Sequence, residues 1–149
     1  MPPPLLNLAD QAAYHAHYIA TCCAGPVLTH DGIPVYFDRP RFYHAFFESV
    51  VYPDDTFSQV RAQRMDWIQL TLQDATADRF QGWNKKKKSY EPHRRVEVVH
   101  EDFVVILEMS KRKDGQLKGK FVTCYQADNS IGRIRQSPAW NRQDCENAL

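Results

Sequence analysis

Between Arg94 and Tyr125 three short runs of β-branched, apolar and aromatic residues follow one another: Arg94-Arg-Val-Glu-Val-Val-His100, Phe103-Val-Val-Ile-Leu-Glu-Met109 and Lys120-Phe-Val-Thr-Cys-Tyr125. Runs of this length and composition, bounded by turn residues, read as strands. The first gap is only Glu101-Asp102, and the second contains Asp114-Gly115, a strong hairpin dipeptide. The stretch therefore reads as an antiparallel three-stranded meander, the floor of any site the chain builds.

The remaining segments read as cover for that sheet. Pro2-Pro3-Pro4 is a stiff leader. Residues 7–23, rich in Ala, Gln and Tyr, read as a helix ended by Gly25-Pro26, with Asp10, His15 and His17 solvated. Residues 28–37 hold Asp31-Gly32 between short apolar runs, and Pro34 confines them to an edge hairpin or an ordered lead-in. Asp38 is placed to cap a helix over 39–51, with Phe42, Ala45, Phe46 and Ser49 on one face and Pro53 as terminator. Asp55 is placed to cap a second helix over 56–75, with the apolar stripe Phe57, Val60, Trp67, Ile68 and Thr71. Residues 80–92 read as a loop. Asp128-Asn129-Ser130 precedes a short helix over 131–136, Ser137-Pro138-Ala139-Trp140 closes the fold, and the last residues look frayed. The expected fold is α+β: N-terminal helices packed on a three- to four-stranded antiparallel sheet, with a short C-terminal helix. Residues 1–34 would form an N-terminal helical extension and 35–149 a single domain.

A chain of 149 residues with 43% hydrophobic and 25% charged residues is ordinary for one globular core. It has no apolar run near the ~20 residues of a membrane helix. The N-terminus shows neither a basic n-region nor an apolar h-region, which points to a cytoplasmic protein or one delivered into a target cell by a larger machine. Cys22 and Cys23 are adjacent rather than CxxC-spaced, and His15, His17 and His30 match no zinc pattern, so the four cysteines read as reduced structural thiols and no metal is implied. P-loop, GxSxG, HExxH and GxGxxG patterns are missing, and no cofactor is implied.

Charge is distributed unevenly. Residues 1–84 carry five Lys/Arg against nine Asp/Glu, residues 85–120 carry eleven against six, and 121–149 balance. A basic block inside a near-neutral chain points to a local anionic partner. At its start Lys85, Lys86, Lys87 and Lys88 lie between Trp83 and Tyr90 and are followed by His93, Arg94 and Arg95, a mixture that suits phosphate neutralisation with base stacking or a merely solvated surface.

Arg64 stands out on the helical wheel. Taking about 100° per residue from Phe57, it falls near 340°, in the middle of the apolar stripe, with Arg61 on its shoulder. Such a charge is costly unless paired with a carboxylate or facing a polar cavity. On the strands, alternation groups Phe121, Thr123 and Tyr125 on one face, Arg95 with Glu97, and Val104 with Ile106 and Glu108; either face could be core. An open face carrying a base, an Arg and a hydroxyl would suit phosphodiester chemistry, which needs a general base, a general acid and cations around the phosphorane. The candidates are His44, His93, His100, Arg61, Arg64, Arg94, Arg95, Glu97, Thr123 and Tyr125.

Short blocks in the chain carry a family resemblance. Phe42-Tyr-His-Ala-Phe-Phe-Glu-Ser49, Arg61-Ala-Gln-Arg-Met-Asp-Trp-Ile68, Arg95-Val-Glu-Val-Val-His-Glu-Asp-Phe-Val-Val-Ile106, Lys120-Phe-Val-Thr-Cys-Tyr125 and Ile134-Arg-Gln-Ser-Pro-Ala-Trp140 resemble, in order, the phage-associated branch of the barnase–EndoU–colicin–RelE-like nucleases. The resemblance implies a metal-independent endoribonuclease acting as a toxin or effector on RNA and neutralised by an antitoxin or immunity protein, with no membrane role. It carries the helix histidine onto His44, the second-helix arginine onto Arg61 or Arg64, the strand hydroxyl and aromatic onto Thr123 and Tyr125, and the Ser-Pro block onto Ser137. Lys85, Lys86, Lys87, Lys88, Arg94 and Arg95 would then guide the RNA backbone. The lysine run is not a feature of the family. A non-catalytic RNA- or protein-binding module of phage or mobile-element origin is the alternative, and a nucleotidyl or ADP-ribosyl transferase a third.

Overall fold

A computed structural model describes residues 3–149, so the proline leader lies partly outside the described residues. In chain order the elements are α1 (Gln11–Thr21), β1 (Val27–Leu28), β2 (Pro34–Tyr36), a 3-10 turn (Arg39–Arg41), α2 (Phe42–Ala45), β3 (Phe47–Glu48), β4 (Thr56–Phe57), α3 (Gln59–Ala62) and α4 (Met65–Gln73). There follow β5 (Asp78–Asn84), β6 (Ser89–His100), β7 (Phe103–Lys111), β8 (Leu117–Gln126), α5 (Ile131–Ile134) and α6 (Arg142–Ala148).

The three strands of the central stretch pair antiparallel as β6, β7 and β8, turning at Glu101, whose φ is 54°, and at Gly115, whose φ is 84°. The sheet, however, is not the three- to four-stranded antiparallel one expected. It has six strands in the order β1-β2-β8-β7-β6-β5 and is mixed, because β2 runs parallel to β8 through Val35↔Gly119 and Tyr36↔Lys120. That pairing joins distant parts of the chain and leaves no period in the sequence. At that pairing Gly119 faces the Val35 side chain, which an added Cβ would meet at 3.4 Å, an ordinary contact. The supposed loop over 80–92 is largely a hairpin in which Trp83 pairs with Tyr90 and the four lysines form the turn.

The helices also differ from expectation. The helix expected over 39–51 shrinks to α2 after a 3-10 turn; Asp38 makes no side-chain cap, and Phe47–Glu48 instead pairs with Thr56–Phe57 as a small second sheet. Asp55 is drawn off from capping because its carboxylate accepts from the backbone N–H groups of Val50, Val51 and Tyr52 at 2.8–2.9 Å, ordering the hairpin loop. Ser58 caps the next helix by accepting from Arg61 N–H. The helix expected over 56–75 breaks at Gln63–Arg64, where Arg64 has non-helical φ −103° and ψ 14°, so the wheel phase does not carry across it. Val60, expected in the core stripe, is exposed. Asp10, expected to be solvated, caps α1 by accepting from Ala13 N–H, and His17 pairs with Asp66 at 2.7 Å.

The helices cover one face of the sheet. Tyr14 and Tyr18 of α1, Phe42, Phe46, Met65, Ile68 and Leu72 pack on Val96, Val98, Phe103, Val105, Leu107 and Phe121. The buried hydroxyls of Tyr14 and Tyr18 donate to the Leu6 and Asp38 carbonyls at 2.7 Å, so neither is left unsatisfied. Phe42 is fully buried among six aromatic neighbours, and truncating it to Ala would cost about 3–5 kcal/mol. On the opposite face, α5 and its flanks cover only one end, where Val99, Val104, Ala127 and Ile134 form a second, smaller core with Phe80, Ile106 and Tyr125. The rest of that face holds the site. No helix among the described residues is long and apolar enough to cross a membrane.

Candidate active site

Register across β6, β7 and β8 sets three rows on the partly open face: Val99–Val104–Tyr125, Glu97–Ile106–Thr123 and Arg95–Glu108–Lys120. A shift between Ile106 and Leu107 inserts one residue in β8, so the sheet bends where Thr123 meets the helices. α2, α3 and the β3–β4 hairpin then rise at the β8 side of these rows. His44, Phe47, Glu48, Ser49, Val50, Asp54, Arg61, Thr123 and Tyr125 enclose an open cleft of about 540 Å³. Four of the six residues to which the resemblance gave catalytic roles, His44, Arg61, Thr123 and Tyr125, thus share one cleft although they come from three separate parts of the chain.

Each is held in a definite way. His44 donates from Nδ1 to Asp54 Oδ2 at 2.7 Å, which leaves Nε2 as its other functional atom. Asp54 sits at φ 50°, a left-handed conformation that Asp tolerates better than most residues, and its N–H bonds Ser49 Oγ. Arg61 Nη1 donates to the Phe47 carbonyl at 3.1 Å and, more weakly, to that of Ala45 at 3.5 Å, so the end of α2 orients the guanidinium. The Thr123 hydroxyl is buried and, among the described residues, has no hydrogen-bond partner. Burial pushes the Tyr125 phenol up to about 12; the charge of Glu97 adds to the rise and that of Arg61 opposes it, so the phenol stays a donor. Burial likewise raises the Glu97 carboxyl above the usual glutamate range. Arg95, in the adjoining row, has its pKa lowered chiefly by burial and then by Arg94, with Arg41 also acting on it; its Nε is buried and unpartnered among the described residues.

The other candidates lie elsewhere. Arg64 donates from Nη1 to the Val60 carbonyl and stacks 5.1 Å from the Trp67 ring centroid, outside the cleft. Ser137 is on the β5 edge, its Oγ 3.3 Å from the Tyr90 hydroxyl. Lys85, Lys86, Lys87 and Lys88 are exposed at the tip of the β5–β6 hairpin, away from the residues that line the cleft. His93 lies beside Glu91, and His100 bonds Asp74 at 2.9 Å beside Trp67, on the helix-covered side. Sequence reasoning missed Asp54, because it read the segment as a helix junction, and it missed Arg39, Arg41 and Lys120. The charge excess over 85–120 did signal Lys120, but Arg39 and Arg41 belong to the acidic part of the chain.

Among the described residues no group of three or more His, Cys, Asp or Glu is placed to hold a metal ion. Comparison with known proteins finds no family model that matches, and no significant match among curated proteins or solved structures.

Proposed function

We propose that the protein is an endoribonuclease that cleaves RNA by attack of the 2′-hydroxyl on the adjacent phosphate, and that it acts as a toxin or effector held in check by an antitoxin or immunity partner. The observation that carries the chemistry is the convergence of His44, Arg61, Thr123 and Tyr125 on one cleft; Glu97, a carboxylate raised by burial, lies outside the lining but near enough for its charge to act on Tyr125. In this scheme Glu97 takes the proton from the 2′-hydroxyl as its oxygen bonds phosphorus. Protonated His44, oriented by Asp54, gives its Nε2 proton to the departing 5′-oxygen as the P–O5′ bond breaks. The products are a 2′,3′-cyclic phosphate and a free 5′-hydroxyl. Arg61 neutralises the phosphorane and the Tyr125 hydroxyl donates to its oxygens, joined by the Thr123 hydroxyl once its side chain turns outward from its buried position. Each group has a reason to be where it is: a free hydroxyl donor, an anchored cation, and an acid and a base in unlike surroundings.

The test is incubation of the wild-type protein with total RNA and tRNA in EDTA, beside His44→Ala and Arg61→Ala proteins shown to be folded. Fragments ending in cyclic phosphate from the wild type, and a loss of at least about 10²-fold in both variants, are expected. Fragmentation that persists in both variants would sink the assignment of the site. Salt-dependent RNA binding with no cleavage by the wild type would instead favour a binding module.

A further inference from the structure

We infer that the cleft continues into a second phosphate-binding subsite, lined by Arg39, Arg41 and Lys120, which holds the phosphate next to the scissile one. This deepens the ribonuclease reading and rests on it for the identity of the strand as RNA. The depression has a volume of about 490 Å³ and is walled by Asp38, Arg39, Pro40, Arg41, His44 and Lys120. His44 belongs to both walls, so the two spaces meet at that side chain. A strand whose scissile phosphate faces His44 therefore runs on directly into the three cations.

Their placement is built rather than incidental. Pro40 lies within the 3-10 turn that presents Arg39 and Arg41. Arg41 Nε donates to the Val122 carbonyl at 2.6 Å, pinning the guanidinium against β8 and leaving its Nη groups for another acceptor. Lys120 continues the row Arg95–Glu108–Lys120, and Arg41 is near enough for its charge to act on Arg95. Against three cations the depression holds one carboxylate, Asp38, 2.9 Å from Lys120 and more than half exposed. Three cations beside β8 outnumber the two carboxylates near them, Asp38 and the cross-strand Glu108, and a phosphodiester completes the balance. The lysine turn shows no comparable architecture: its four side chains are exposed, and among the described residues none is pinned to the backbone as Arg41 is.

The experiment uses the full chain and a short, fluorescently labelled DNA strand of mixed sequence, which binds without being cleaved because it lacks the 2′-hydroxyl. Affinity is measured against salt for the wild type, for an Arg39→Ala/Lys120→Ala double variant and for a protein with the four turn lysines changed to Ala. Both residues of the double variant are exposed, so the fold is retained. We expect the double variant to bind about tenfold or more weakly, as for removal of a charge-assisted hydrogen bond. Its dependence of log affinity on log salt should flatten by about 0.7 for each phosphate that is no longer neutralised. With RNA, its kcat/KM should fall further on a trinucleotide, which carries the extra phosphate, than on a dinucleotide. Unchanged affinity and salt slope in the double variant would overturn the subsite, whatever becomes of cleavage. Weakened DNA binding in a protein that cleaves no RNA would leave the subsite standing and remove the ribonuclease reading, so the two fail separately.

Discussion

The Nδ1 of His44 and Oδ2 of Asp54 lie 2.7 Å apart, and the bond links α2 to the loop of the β3–β4 hairpin. It fixes the tautomer and the ring plane of the one imidazole in the cleft. Asp54→Asn retains a side chain that accepts the left-handed backbone but replaces the charged acceptor with an amide. We expect kcat to fall by about 10–10²-fold with KM little changed, since orientation for proton transfer is lost rather than binding. A matching rise in KM would show Asp54 to be a substrate contact.

Glu97 sets activity against stability. Its folded pKa is raised by burial, so the native state holds a proton over a pH range in which the unfolded chain has released it. Stability therefore declines as pH rises from the unfolded value, about 4.3, through the raised folded value. Glu97→Gln should be indistinguishable from wild type in urea unfolding below pH of about 4 and more stable at pH 7, while losing about 10²–10⁴-fold in cleavage. A variant less stable at pH 7 would mean that the ionised carboxylate has a favourable partner.

Thr123 separates the needs of folding from those of catalysis. Its hydroxyl has no partner among the described residues, so the near-isosteric Thr123→Val removes an unsatisfied group and should leave stability unchanged or raise it by up to about 1 kcal/mol. Cleavage should nevertheless fall by about 10²-fold because the phosphorane is deprived of a donor. Thermal unfolding and a cleavage assay on the same preparation check both halves.

Asp55 holds the hairpin loop that carries Asp54. The backbone N–H of Tyr52, then those of Val50 and Val51, keep its carboxyl far below the usual aspartate range. A depressed folded pKa stabilises the loop above the unfolded value, about 3.9, and the effect is lost as pH falls from there. Amide exchange at residues 50, 51 and 52 should accelerate in Asp55→Ala and, in the wild type, at acid pH. The variant should also cleave up to about 10²-fold more slowly because His44 loses its oriented partner.

Gly82 is fixed by close approach. A Cβ there would stand 2.6 Å from the Cβ of Arg95, with the register shift in β5–β6 directly beside it. Gly82→Ala should cost about 1–3 kcal/mol in urea unfolding, and it should shift Arg95 and weaken RNA binding in the same protein.

Local signals made the meander and its turns legible in the sequence: β-branched runs, a two-residue gap and Asp114-Gly115. The helical wheel was informative only where a helix continued. It placed Arg64 in a stripe that the break at Gln63–Arg64 dissolves. Asp55 was misread because a carboxylate can satisfy three loop amides as well as a helix end, and both look alike in one dimension. Arg61, Thr123 and Tyr125 were nameable as residue types suited to phosphate chemistry. Their meeting with His44 depends on how α2 and α3 stand against β8, which no local pattern encodes.

The parallel contact between β2 and β8 has a kinetic consequence. The hairpins of β5 to β8 close through neighbours in sequence, whereas Val35 and Gly119 find each other only after almost the whole intervening chain has been synthesised and arranged. Arg39, Arg41 and His44 follow β2 directly, so they reach their places with that late docking step. A refolding chain should therefore close the β5–β8 hairpins first and complete the walls around His44 last, so that the scaffold precedes the cleft it supports.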